Sequence, residues 1–420
     1  MAHRRNVILV LTTLFAAFLR LYHLGTEPLW LDEAITWQFA AGPISAMFAD
    51  CHSPLYYLIT GAVLSVAGVS EFTLRLPAAI FGILTVPLVY LLARAADRSE
   101  PVALLAAAIF ALSSWAIWSS QEARMYSMVT FTAALFLYWY LRTEKAPVPF
   151  NQYILGVTAA LLILSQYLAA ILVIVVGAYA LLAGRRWWQP VIALTICLAP
   201  VILQIVAEAG QYVGHKSFGY SGISYVIMTM VSVSGRWMLI PVFSMMFIIG
   251  IIAIARQNRS MAAFCAAACI MPLLALAIAG EWIQMMPRYA IFILPLGSIV
   301  LASVIDIPQR HITTGLSAVL IISALIGTGY YYSTVDKPAW PDIADMVSSS
   351  GASTVAVIPA WESIPLKYYL AGRTECIDID DNPDTVIVAP SEIFTDWNRT
   401  TVAGWKKVSV DGIEIFTKNR

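Results

Sequence analysis

Apolar and polar positions alternate along this chain on the scale of a lipid bilayer. Apolar runs fall at 6–24, 77–95, 101–119, 126–141, 152–164, 167–183, 189–206, 238–255, 261–279, 289–305 and 311–329. A helix of about 20 apolar residues crosses the hydrocarbon core. The pattern therefore predicts a mainly α, polytopic membrane protein with about eleven transmembrane helices. The two runs within 152–183 are split only by Ser165-Gln166. Two further apolar segments, 54–69 and 222–236, are short; the first opens at Pro54 and the second closes at Gly235-Arg236. Both read as interfacial or dipping helices, the first inside a large loop spanning 25–76.

Charge parity supports that choice. With a cytoplasmic N-terminus, the loops that fall inside carry Arg94 and Arg98, Arg142 and Lys145, Arg185 and Arg186, Arg256 and Arg259, then Arg310. Every one is basic, as the positive-inside rule requires. Counting 54–69 as a span would turn all of them outward. The first run follows His3, Arg4 and Arg5, and no small-residue cleavage site comes after it, so it reads as an uncleaved helix.

Eleven spans put the C-terminus outside. Residues 330–420 change character, with Asp, Lys, Glu, Ser and Pro becoming common. TVAVIP (354–359) and TVIVAP (385–390) read as buried strands. PDIADMV (341–347) reads as a helix opened by proline, and VSVDGIEIF (408–416) as a hairpin around Asp-Gly. The expected organisation is a transmembrane domain, 1–329, followed by a small extracytoplasmic α/β domain, 330–420. Asn398-Arg399-Thr400 is a formal glycosylation sequon on that side.

Composition agrees. Hydrophobic residues make up 60% and charged residues 12%, against about 25% charged in soluble domains. The formal net charge is zero, which gives no pull on nucleic acid. The five cysteines show no metal spacing such as CxxC and no legible disulfide framework.

The polar residues that interrupt this apolar chain collect on the predicted outer face, and ionisable groups at membrane depth are costly and usually functional. Asp32 and Glu33 stand side by side in PLWLDEAITW (28–37). On a helix they diverge by about 100°, so one can face a cavity while the other takes a cation or a metal. Acids in a first turn also complement the helix dipole, and the local sequence does not separate the two readings. Asp50 and His52 precede Pro54 and could hold a divalent metal or a phosphate-linked partner, although two ligands are too few for a metal site; a cap before Pro54 is the other reading. In SQEARMY (120–126), Glu122 and Tyr126 share one helical face and Gln121 and Arg124 another; a local ion pair or hairpin plug would explain them equally. Arg288 in Pro287-Arg288-Tyr289, and Arg20 near the end of the first run, suit a phosphate or snorkel to lipid headgroups. His215-Lys216 reads as exposed loop.

LRLYHLG…LWLDEA (19–34), DCHSPLYY (50–57), SEFTLRLPAAIFGILTV (70–86) and SQEARMY (120–126) occur in a familiar order. The chain resembles the glycosyltransferase superfamily of protein O-mannosyltransferases and lipid A aminoarabinose transferases, most strongly over 14–141 and more weakly through PRYAIFILP (287–295). That resemblance implies the GT-C fold and transfer of a hexosyl or pentosyl group from a polyprenyl-phosphate carrier to a protein, lipid or glycan acceptor at the outer face. It implies Asp32 as the base with Glu33 beside it, and His52 near the donor phosphate. Relatives often place two prolines after that position; here Ser53 replaces the first. Arg75, Glu122, Arg124, Tyr126, Arg288, Tyr289 and Arg20 are the expected donor-site residues, and a divalent metal at Asp50 and His52 stays open. The implied location is an integral protein of a prokaryotic plasma membrane.

The chemistry of the residues agrees. An acceptor hydroxyl attacking C1 of a sugar needs a base, and a departing lipid phosphate needs cationic stabilisation. One base with no second carboxylate nucleophile implies inversion. No Gly-rich nucleotide loop is evident. The alternatives are a secondary transporter or lipid flippase, which would place charges near mid-bilayer and show inverted repeats, and an inactive relative serving as a scaffold.

Overall fold

The computed structural model describes residues 2–47, 53–185, 219–335, 337–381, 383–388, 405–410 and 412–418, with isolated positions between 189 and 198. The chain divides into two compact units. One comprises residues 1–22, 48–59 and 75–335; the other comprises 23–47, 60–74 and 336–420. The second unit thus combines most of the predicted first loop with the C-terminal segment.

The first unit is helical. Among the described residues, five helical segments are long and apolar enough to cross a membrane: Glu71–Ala95, Trp237–Gln257, Arg259–Ala279, Pro287–Asp306 and His311–Thr334. A sixth is broken: Glu100–Leu112 and Ser114–Ser120 meet at a bend of 58°. Ser113 makes the break. Its backbone is extended, and its hydroxyl accepts the N–H of Ala116, which starts a new helix. Helices also stand at the predicted spans 6–24, 126–141, 152–164 and 167–183, as Ala2–Leu21, Tyr126–Lys145, Pro149–Ser165 and Ala170–Leu182. The span predicted at 189–206 lies largely outside the described residues. Leu55–Ala67 and Gly222–Ser234 are helices of 13 residues each, about 20 Å long at 1.5 Å per residue. That is short for a bilayer, and the helices Pro149–Ser165 and Ala170–Leu182, at predicted spans, are short as well.

Outward helix faces are apolar. Leu11, Leu14 and Phe18 are exposed at helical spacing along the first helix, as are Ile174, Leu181 and Leu182 further on. Such faces need hydrocarbon rather than water, and the chain is an integral membrane protein. The inner faces pack closely. A Cβ on Gly250 would fall 1.9 Å from the Val300 carbonyl oxygen, so glycine is what lets Ile240–Gln257 approach Leu294–Ala302. Tyr140 stacks on Phe264 with ring centres 5.0 Å apart.

Ion pairs gather several of the predicted inner loops at one end of this unit. Lys145 pairs with Asp97, Arg185 with Glu144, and the buried Arg98 with Asp306 at 3.7 Å. Four connections far apart in sequence therefore meet at the same end.

In the second unit, strands β1 (Thr354–Ile358), β2 (Glu375–Cys376), β3 (Thr385–Val388), β4 (Lys406–Val410) and β5 (Ile413–Thr417) form a sheet of order β2-β1-β3-β5-β4. β1 runs parallel to β2 and β3, whereas β5 is antiparallel to β3 and β4. Strand alternation sends Val355 and Val357 to one face, where they pack with Trp340, Ile343, Val347, Leu366 and Leu370. Ala356 and Ile358 face the other side with Val386 and Phe416. The helix Trp340–Ser349 carries Pro341 in its first turn, and the β4–β5 hairpin turns at Gly412, whose φ is +78°. Strands, helix and hairpin stand where the alternation predicted. At the far edge of β1, Ser353 N–H and hydroxyl both donate to Asp384 Oδ2, which ties β1 to β3.

Candidate active site

The acid pair belongs to the second unit. The helix Leu31–Ala40 opens after Trp30, whose extended backbone provides no side-chain cap. Asp32 and Glu33 occupy its first turn, where the helix dipole favours negative charge. Their environments differ. Glu33 is fully buried, and its Oε2 accepts from Lys337 Nζ at 2.8 Å. Asp32 is half-buried. Of the two, Glu33 takes a cation, and Asp32 is the more exposed.

The C-terminal segment grips this helix. Tyr369 Oη accepts the N–H of Leu29 at 2.7 Å. Trp37 meets Tyr368 edge-on with ring centres 5.2 Å apart. The stretch 60–74 closes from another side: a Cβ on Gly61 would fall 2.7 Å from the Ala40 carbonyl oxygen, and one on Gly25 would fall 3.0 Å from Phe72 Cβ. Glu362, in the turn after β1, is half-buried. Burial, and then the negative charge of Asp32, push its carboxyl above the ordinary value. Lys337, Glu362 and Tyr369 carry no local motif, because they lie some 300 residues in sequence from Glu33, Asp32 and Leu29, which they face.

The remaining candidates lie in the first unit. Arg75 is buried early in Glu71–Ala95. Glu122 and Arg124 are buried in a turn between helices that end at Ser120 and begin at Tyr126. The shared helical faces expected for Glu122–Tyr126 and Gln121–Arg124 are therefore absent, because the chain leaves the helix here. Gln121 is the reason. Its Nε2 donates to the carbonyls of Leu19, Arg20 and Tyr22, at 3.2, 3.4 and 2.7 Å, and its Oε1 accepts from Tyr331 Oη at 2.8 Å. It satisfies the bare carbonyls at the end of the first helix.

Arg20 caps the neighbouring break. Its guanidinium donates to the carbonyls of Ala16, Ala111 and Phe110, at 3.2, 3.1 and 3.4 Å, and Thr328 Oγ1 donates to that of Leu112 at 2.6 Å. Gly82 leaves room for this arrangement, since a Cβ there would lie 3.0 Å from Arg20 Nε. Arg288 does come together with other candidates. It lies over the rings of Tyr126 and Tyr289, at 5.8 and 6.0 Å, and Tyr126 stacks on Trp118 at 5.8 Å. A cavity of about 320 Å3 is lined by Arg288, Trp115, Trp118, Tyr330 and Tyr331. It pairs a cation with aromatic walls, which suits an anionic headgroup.

Asp50, His52 and Lys216 lie outside the described residues. Among those described, no three His, Cys, Asp or Glu side chains gather as a metal site. Ser53, which replaces a proline expected from the resemblance, donates its hydroxyl to the carbonyl of Leu164, a bond proline cannot make.

Residues 51–207 match the family model described as dolichyl-phosphate-mannose-protein mannosyltransferase. The structure is similar along nearly its whole length to ArnT from Cupriavidus metallidurans, with a TM-score of 0.68 at 12% identity, covering 99% of this chain and 98% of that one. This is the GT-C fold. The GT-C fold expected from the sequence resemblance is thus the one found. ArnT bound to undecaprenyl phosphate matches with a TM-score of 0.65 at 13% identity, again over 99% and 98% of the two chains. The GT-C oligosaccharyltransferase AglB from Archaeoglobus fulgidus, in complex with an inhibitory peptide and a dolichol-phosphate, matches with a TM-score of 0.55 at 12% identity over 92% of this chain and 69% of that one. No curated protein sequence matches significantly.

Proposed function

We propose that this protein transfers a hexosyl or pentosyl group from a polyprenyl-phosphate carrier to an acceptor hydroxyl, with Asp32 as the base. The observation that carries this reading is the unequal acid pair: Glu33 is buried against Lys337, while its neighbour Asp32 is half-buried. Similarity in fold to ArnT bound to undecaprenyl phosphate, and to AglB bound to dolichol-phosphate, supports a lipid-linked donor.

In the reaction, the acceptor oxygen attacks C1 and passes its proton to Asp32. The bond from C1 to the phosphate oxygen breaks, and its electron pair leaves with the lipid phosphate. One displacement inverts C1. Arg288, Arg124 and Arg75 are the guanidiniums assigned to the departing charge, because bidentate donors suit phosphate. His52 is assigned to the same phosphate by its place in the resemblance. The topology that goes with this activity has eleven spans, a cytoplasmic N-terminus and an extracytoplasmic C-terminus. The acceptor is a protein, a lipid or a glycan.

The test is turnover. The purified full chain is incubated with a panel of polyprenyl-phosphate sugars, with and without a chelator, and free lipid phosphate is measured by mass spectrometry. Release from at least one donor is expected. No release from any of them, in the presence of protein, lipid and glycan acceptors, contradicts the reading. Loss of release with the chelator would show that the transfer needs a divalent metal.

A further inference from the structure

Glu33 and Lys337 are 304 residues apart in sequence, yet they form a direct ion pair at 2.8 Å. Glu33 has no exposed surface and Lys337 is 10% exposed. Burying both charges is costly, and such pairs often stabilise no more than apolar side chains of the same shape. Their better attested use is to fix one arrangement among several. Here the arrangement at stake is the rotation of the Leu31–Ala40 helix. Other contacts hold its ends: Tyr369 Oη at Leu29 N–H, Tyr368 against Trp37, and Gly61 under Ala40. Two of these grip backbone and the third is an aromatic edge, so a specific charge pair is the contact best suited to setting rotation.

We propose that Lys337 is a positioning residue: by holding Glu33 inside, it fixes the turn that presents Asp32. This rests on the reading of Asp32 as the base. Adjacent side chains on a helix are tied at about 100°. Any rotation that releases Glu33 therefore moves Asp32 off its direction. The C-terminal domain thus acts as the mount for the base, and Lys337 carries the key contact.

The experiment uses the full chain in lipid nanodiscs with whichever donor the wild type turns over. It compares Lys337→Met, Lys337→Arg and the neutral pair Glu33→Gln/Lys337→Gln. Two readouts are taken: lipid-phosphate release, resolved into kcat and KM, and amide hydrogen exchange across residues 29–40. Lys337→Met is expected to lower kcat by about 10²-fold, the scale of a 1 Å misplacement, with donor KM little changed. Lys337→Arg is expected to recover most of that loss. The neutral pair leaves no uncompensated charge; it is expected to fold with wild-type melting, to exchange faster over 29–40, and to keep the low kcat. Wild-type kcat in the neutral pair overturns the proposal, and so does a donor KM effect without a kcat effect. If the wild type turns over no donor, the transferase reading fails, and exchange alone then decides the placement: unchanged protection of 29–40 in both Lys337→Met and the neutral pair overturns it.

Discussion

The hydroxyl of Tyr369 accepts the backbone N–H of Leu29 at 2.7 Å. A side chain near the C-terminal end of one small helix thereby pins the entry to another, just before the acid pair. Burial pushes the Tyr369 phenol above its ordinary value. Tyr369→Phe leaves a buried donor without its acceptor, at a cost of about 1–3 kcal/mol. The expected result is faster amide exchange at Leu29 and Trp30 and a lower melting temperature, with the rest of the sheet protected as before.

Arg20 separates a structural from a donor-binding role. Its guanidinium serves two carbonyls at the bend beside Ser113, those of Phe110 and Ala111, and that of Ala16 in its own helix. Arg20→Met is expected to destabilise the membrane unit by on the order of 1–3 kcal/mol, seen as a lower melting temperature in detergent. The donor KM of the fraction that remains folded should be unchanged. A raised KM with unchanged melting would instead return Arg20 to the donor site.

Glu362 gives a pH dependence with a definite sign. Burial and the charge of Asp32 raise its carboxyl above the ordinary value of 4.5. The folded state then holds this proton more tightly than the unfolded state. The contribution to stability is full below the unfolded value and is lost as pH rises through the folded value. Glu362→Gln removes that loss. The variant should therefore resist unfolding better than wild type at about pH 7–8 and match it at about pH 4, by thermal unfolding across that range.

Much of this molecule was legible in the sequence, and the limits have physical causes. The apolar runs, the basic loops and the strand alternation are local patterns, and helices and strands stand where those patterns fall. Ser113 hid the bend within 101–119, because a serine that ends one helix and caps the next looks like an ordinary polar residue in an apolar run. Gln121 was read as part of a helix face, since nothing nearby in sequence marks the three carbonyls it serves. At the acid pair, geometry on a helix gave the divergence of Asp32 and Glu33 but not their partners. Lys337 and Glu362 reach them, and Tyr369 reaches Leu29 before them, only through the fold. Likewise, no local signal marks Gly250 as the point where a helix meets the Val300 carbonyl.

The central claim is that Asp32 takes the acceptor's proton. It is tested most directly by lipid-phosphate release from the preferred donor by Asp32→Asn, beside donor binding by the same preparation. Asparagine keeps the shape and loses the basicity. The account predicts that release falls by at least about 10²-fold, the lower range for a general base, while the donor still binds with near wild-type affinity. Wild-type release by Asp32→Asn would contradict it.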